Sequence, residues 1–189
     1  MIFVSAGHHQ EAQGASHQGF AEWPEAQIWA SLLLYEICQH GGEAMAVPSG
    51  SLATKTTFIN SWAGQSDIAV EIHFNGAADE QGRRVGRGSE TLYYPGSKRG
   101  RIVAQGVQEA ISGLFPPDRG IKEGWYRLSP ENGPDWFLAR TRPAAVIIEP
   151  DFIHRKGTIQ RQRAVAVRAV ADTLVRLDRP EVVDSWQEA

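Results

Sequence analysis

The sequence holds a single cysteine, Cys38, so it cannot form an internal disulfide, a cysteine zinc knuckle or a CxxC redox motif. Cys38 itself is expected in the core. Positive charge is not in excess: 19 Lys and Arg stand against 22 Asp and Glu, a net charge of -3 with no block of one sign. A chain built to grip a phosphate backbone needs a basic surface, so nucleic acid is set aside as a partner. Long apolar runs are missing as well; none approaches the roughly 18 residues that crossing a bilayer requires. The opening MIFVSAGHH has no basic residue ahead of its short apolar run, unlike a secretory signal. These features lead to the expectation of a chain made in the cytoplasm, without signal peptide or membrane span. Internal repeats and low-complexity segments are absent too.

With 189 residues, 42% hydrophobic, the chain fits one domain with one sizeable core. Strand-like and helix-like patterns alternate. Apolar runs at 2–5, 44–47, 68–74, 90–94 and 144–149 read as strands. Helical stripes fall between them. Ile28, Leu32, Leu33 and Ile37 lead from Pro24 to a Gly41-Gly42 stop, and Phe58, Ile59 and Trp62 mark a shorter helix. Val103, Val107, Ile111 and Leu114 form the next, and Val167, Val170, Leu174 and Leu177 a last one that Pro180 ends. Residues 118–142 read as a loop-rich region holding Trp125, Tyr126, Trp136 and Phe137, which either stack on a ligand or pack locally. This order specifies an α/β fold: a single domain with a mixed, mostly parallel central sheet flanked by helices. Residues 1–180 are expected to form this domain, and 181–189 a frayed tail.

Such sheets bind ligands beyond the carboxyl ends of their strands. His8, His73 and Glu149 each stand where an apolar run stops, and Glu22 stands just before the first long helix. Two imidazoles and a carboxylate make a usual catalytic zinc set, which leaves a second carboxylate to move protons. That inventory suits amide hydrolysis, although the long gaps match none of the short helix-borne zinc motifs.

The segments GHHQ (7–10), Ala21-Glu22, EIHFN (71–75), GSETLYY (88–94), RGIK (119–122) and PAAVIIE (143–149) occur in that order. Together they resemble the zinc-dependent N-acetylmuramoyl-L-alanine amidase family, in its type 3 catalytic domain of bacterial cell-wall hydrolases and phage endolysins. The resemblance runs from about residue 2 to residue 177. It implies one Zn2+ ion held by His8, Glu22 and His73, with Glu149 as the catalytic carboxylate. It also implies cleavage of the amide between N-acetylmuramic acid and L-alanine in peptidoglycan. Asn75, Ser89 and Glu90 resemble stretches beside the family's site and are expected to meet substrate.

Three departures stand out. Ala6-Gly7-His8-His9-Gln10 replaces the usual Pro-Gly-His-Gly-Gly, so His9 competes with His8 for the metal. Glu71 occupies a position where many members carry a small residue, and Pro150-Asp151-Phe152 follows Glu149. Glu25, one turn beyond Glu22, is the alternative carboxylate ligand, and His154 lies within reach of Glu149 in sequence. The helix after Tyr94 follows directly, without the inserted regulatory helices of some relatives, so no activator partner is expected. A monomer released by a holin or another export route completes the expectation. Other readings are a different zinc amidohydrolase or peptidase on the same scaffold, and a non-catalytic peptidoglycan-binding protein.

Overall fold

The computed structural model describes residues 1–78, 80–126 and 129–179. In chain order come β1 (Ile2–Ala6), the two-stranded pair β2 (Ser16–His17) and β3 (Phe20–Ala21), α1 (Glu22–Gln39) and β4 (Ala44–Ala46). Next are α2 (Leu52–Trp62), β5 (Ile68–Ile72), β6 (Ser89–Tyr93), α3 (Lys98–Ser112) and β7 (Asp118–Glu123). α4 (Trp136–Arg140), β8 (Ala144–Glu149) and α5 (Lys156–Leu177) complete the order. The proposed tail, 181–189, and the helix stop at Pro180 lie outside the described residues.

Six strands form one sheet in the order β4-β1-β5-β8-β6-β7. The pairings are parallel except between β6 and β8, where two parallel blocks meet antiparallel. The carboxyl ends of β1, β5 and β8 and the amino ends of β6 and β7 therefore share one edge. Register makes this concrete, because Glu90 opens β6 opposite Glu149, the last residue of β8.

Side chains of a strand alternate between faces, and here the faces differ in depth. Ile2, Val4, Ile68, Val70, Ile72, Val146 and Ile148 point to a large core closed by α1, α3 and α5. The intervening residues Phe3, Ala69, Ala145 and Ile147 point to a small cluster completed by Ile59, Phe137 and Leu138 from α2 and α4. Burying each large apolar side chain stabilises by about 1.5–3 kcal/mol, so most of the hydrophobic stabilisation lies on the three-helix face. The thinner face continues past Ile147 and Ala69 to Glu149, Glu71 and His73.

Four expectations change. In α1 the buried stripe is Ala26, Trp29, Ala30, Leu33 and Ile37, whereas Ile28 and Leu32 are 44% and 36% exposed. The helix carries apolar residues on more than one side, so spacing alone finds Leu33 and Ile37 but misplaces Ile28 and Leu32. Cys38 is exposed, because its neighbour Ile37 takes the inward position. The region 118–142 is not all loop: β7 pairs with β6, and α4 packs Phe137 into the small cluster. β7 escapes hydrophobic patterning because it is a polar edge strand, Asp-Arg-Gly-Ile-Lys-Glu. Finally, α5 begins at Lys156, well before its apolar stripe.

Candidate metal centre

Three segments bring His8, Glu22 and His73 together. His8 lies just past β1, in the left-handed backbone region at φ 61°, a conformation few non-glycine residues adopt. Gly7 extends the β ladder by donating to the Ile72 carbonyl at 2.7 Å, and the reciprocal His9–Ala12 bonds close the following turn. Glu22 opens α1, and its buried carboxylate accepts from the backbone N–H groups of Ala15 at 2.8 Å and Phe74 at 3.0 Å. His73 follows β5. Its Nδ1 lies 2.9 Å from Glu22 Oε1, while His8 Nε2 lies 3.1 Å from Glu22 Oε2.

Two glycines make room for this convergence. A Cβ on Gly14, at φ +74°, would collide with Glu22 Oε2 and the His8 ring, and a Cβ on Gly7 would stand 2.6 Å from His73 Nε2. One ligand atom from each of His8, Glu22 and His73 lies within 4.8 Å of the others. Two imidazoles and one carboxylate on this scale fit zinc, which takes nitrogen and oxygen donors and keeps a position open in catalytic sites. In the metal-free protein these same contacts set the protonation of the cluster, and a metal would displace the proton on His73. Burial would raise the Glu22 carboxyl, but hydrogen bonds from His73 and His8 hold it well below the usual carboxylate range. Burial opposes charge on His73, yet the Glu22 and Glu71 carboxylates on its two nitrogens raise it well above its ordinary value.

Glu149 is the opposite kind of carboxyl. Its Oε2 is buried without a hydrogen-bond partner among the described residues. Burial pushes it up to about 8; the positive charge of His73 works against that shift, and the negative charges of Glu22 and Glu90 add to it. It lines a cavity of about 190 Å³ with His73, Asn75, Glu90, Leu92, Trp125, Asp135 and Ile147. A carboxyl held near neutrality beside a cation-ready cluster is equipped to take a proton and return it. A second cavity, of about 390 Å³, opens on the other side of His73 and Asp135 and is lined by His8, His9, Ser51, Lys55, Glu71 and Trp136 among others.

Of the three residues expected to meet substrate, two line the Glu149 cavity. Asn75 donates from Nδ2 to Glu90 Oε1 at 2.8 Å, and Arg119 and Lys122 of β7 also engage Glu90. Ser89 lies elsewhere: fully buried, its hydroxyl accepts from Gln108 of α3 at 3.2 Å on the three-helix face. Adjacent strand residues point to opposite faces, so Ser89 and Glu90 cannot both reach the cavity.

The alternatives sort themselves by position. Glu25 is buried on α1 but accepts from Arg163 at 2.8 Å and Trp29 at 3.0 Å, away from the cluster. His9 turns to Glu11, and His154 packs edge-on to His17. Of the aromatics, Phe137 is core, Trp125 and Trp136 line the two cavities, and Tyr126 is half exposed. Asp151, fully buried, binds Gly88 N, Phe152 N and Arg155 Nε, tying the approach to β6 onto the turn after β8. Lys55 and Asp135 are additions that patterning does not single out, because a helical Lys and a loop Asp read as solvated.

A family model described as N-acetylmuramoyl-L-alanine amidase matches residues 2–173. The chain belongs to that family. It is a peptidoglycan amidase, a hydrolase, with the single-domain α/β fold of the family's catalytic domains. Solved structures share the fold at low identity. The catalytic domain of CwlV, an N-acetylmuramoyl-L-alanine amidase from Bacillus (Paenibacillus) polymyxa var. colistinus, matches at TM-score 0.76 and 16% identity, over 93% of this chain and 96% of that one. The catalytic domain of the CD27L endolysin targeting Clostridia difficile matches at 0.70 and 19%, over 93% and 96%. Cwp6 from Clostridium difficile matches at 0.74 and 18% over 93% of this chain, which spans only 28% of Cwp6. None of the curated proteins matches the chain. Among the described residues no helix is long and apolar enough to cross a membrane.

Proposed function

We propose that His8, Glu22 and His73 hold one zinc ion and that the amidase cuts the bond between the lactyl group of N-acetylmuramic acid and the L-alanine of the stem peptide. The observation that carries this reading is the convergence of three ligand side chains from three separate segments, with Glu149 Oε2, which has no hydrogen-bond partner among the described residues, across the cavity. A zinc ion there supplies a Lewis acid that polarises a carbonyl oxygen and lowers the pKa of water towards neutrality. The protein's own residues do the rest. Glu22, anchored by two backbone N–H groups, fixes the positions of both imidazoles. Glu149 Oε2 takes a proton from the attacking water and returns it to the departing alanine nitrogen. That return places the amine side of the scissile bond in the Glu149 cavity. The muramoyl side then faces the larger cavity, where half-exposed Trp136 offers a flat surface to a sugar.

We also infer that the enzyme acts as a monomer without an activator, in lysis or remodelling of the wall after release from the cell. The four-residue link Tyr94–Ser97 between β6 and α3 leaves no room there for a covering helix. Mass spectrometry of the soluble products from purified peptidoglycan tests the substrate. Free stem peptides with an amino-terminal L-alanine, lost on chelation and restored by zinc, are expected. Cleavage within the stem peptide overturns the bond assignment, and binding without products overturns turnover.

A further inference from the structure

His73 is gripped from two sides, and only one grip belongs to the ligand cluster. Its Nδ1 faces Glu22, while its Nε2 lies 3.0 Å from Glu71 Oε2. Glu71 is 1% exposed, one residue before the end of β5. Its other oxygen accepts from Lys55 Nζ at 2.8 Å and from the Ser5 hydroxyl at 3.3 Å. Lys55 is itself 1% exposed and donates also to the Ala6 carbonyl at 2.6 Å, one residue before Gly7. Two opposite charges are thus withdrawn from water directly beneath His73, an arrangement that costs free energy and that an apolar pair would avoid.

We propose that the buried Lys55–Glu71 pair is a positioning device for His73: the Glu71 carboxylate accepts a hydrogen bond from Nε2–H, which leaves Nδ1 to the metal, and Lys55 holds Glu71 in place and compensates its charge. This rests on the reading of His73 as a ligand given above. Three consequences of the geometry support it. A ligand imidazole needs its second nitrogen bonded to an outer acceptor that sets ring orientation and raises basicity. A carboxylate buried on a strand beside a cation site needs its own counter-charge, or it adds an unpaired negative group. Lys55 meets that need from α2 while its bond to Ala6 ties the pair to the strand that delivers His8. The pair therefore links two of the three ligand-bearing segments through one hydrogen-bonded chain. Lys55 and Glu71 touch His73 and not the reacting atoms, so they are positioning residues.

The test is E71Q, measured in full-length protein. A glutamine offers one acceptor oxygen where Lys55 and His73 need two, so one bond is lost without a change of shape. Zinc affinity, measured by competition with a chromogenic chelator, is expected to fall at least tenfold, within the 10- to 100-fold range typical of outer-shell partners. E25Q, which disrupts a remote buried ion pair with Arg163, serves as the control and leaves zinc affinity within twofold. A second readout needs no metal. In nitrogen-15-labelled protein the His73 Nε2 proton is protected and shifted downfield in the parent, and is lost by exchange in E71Q. If E71Q does not fold, the double variant K55M/E71L replaces the pair with apolar side chains of similar size and takes the same measurements. Unchanged zinc affinity together with a retained Nε2 proton signal in a folded variant overturns the proposal. Failure of the parent to bind zinc, with the proton signal still lost in E71Q, overturns the metal reading and keeps Glu71 as the partner of His73.

Discussion

The two faces of the central sheet carry different burdens. The face under α1, α3 and α5 is apolar and continuous from Ile2 to Phe74, and its polar insertions, Thr91 and Ser89, are satisfied by Gln108. The face under α2 and α4 is apolar only as far as Phe3, Ala69 and Ile147; beyond them Ser5, Glu71, His73, Glu90 and Glu149 occupy the same alternation. A chain can keep carboxylates such as Glu71 and Glu90, 1% and 3% exposed, at one edge of a sheet because the opposite face supplies the hydrophobic stabilisation. The site sits where the thin face runs out of helix cover.

If that division holds, substitutions on the two faces must separate chemistry from stability. The largest effect is expected from E149Q, which removes the group that moves the proton. The hydrolysis rate falls by about 10²–10⁴ while the melting temperature holds or rises, since a carboxyl whose buried Oε2 has no partner among the described residues no longer has to be accommodated. A parent-like rate in E149Q removes Glu149 from the mechanism. On the other face L33A is expected to cost about 2–5 kcal/mol in urea denaturation, because Leu33 is 1% exposed in the main core. Its hydrolysis rate at low temperature, in the folded protein, stays at the parent level.

A smaller effect follows from pH in metal-free protein. The folded-state value of Glu149, about 8, lies above its ordinary 4.5, so between those values the folded state binds more protons than the unfolded chain. Glu149 therefore makes stability fall as pH rises from about 4.5 to about 8. Glu22 acts with the opposite sign: its lowered value contributes stability above 4.5 that disappears as the solution becomes more acidic. His73, raised, also lends stability that fades as pH rises, so the parent alone does not isolate Glu149. The difference between parent and E149Q, followed by urea denaturation from pH 5 to 9, does. It is expected to favour the variant increasingly up to about pH 8, and a flat difference contradicts the buried, protonated carboxyl.

The smallest effect contrasts neighbours on one strand. S89A is expected to cost about 1 kcal/mol of stability and leave KM unchanged, whereas N75A raises KM with little effect on stability. Equal KM changes in the two variants contradict the assignment of faces.

Much of this was readable beforehand, for reasons that can be named. Strand ends are legible because a buried parallel strand is an apolar run that stops abruptly, and the stop at His73 or Glu149 marks the ligand edge. His8, Glu22 and His73 are spread too far along the chain for spacing to join them; the order of short motifs does that. Lys55 was not legible, since one buried lysine on an amphipathic helix has the same local pattern as a solvated one, and only β5 crossing beneath it supplies Glu71. β7 was hidden by its polarity as an edge strand. Ser89 is the instructive case. Period-two alternation next to Glu90 already opposes its assignment to the cavity, and motif resemblance outweighed that parity.

The central claim is that the thin-face edge gathers His8, Glu22 and His73 into one zinc site. Anomalous X-ray diffraction at the zinc edge, from crystals grown with zinc, tests it most directly. A single strong peak in contact with His8, Glu22 and His73, across the cavity from Glu149, is the expected result. A peak held by Glu25 or His9 instead, or no peak at this edge, contradicts it.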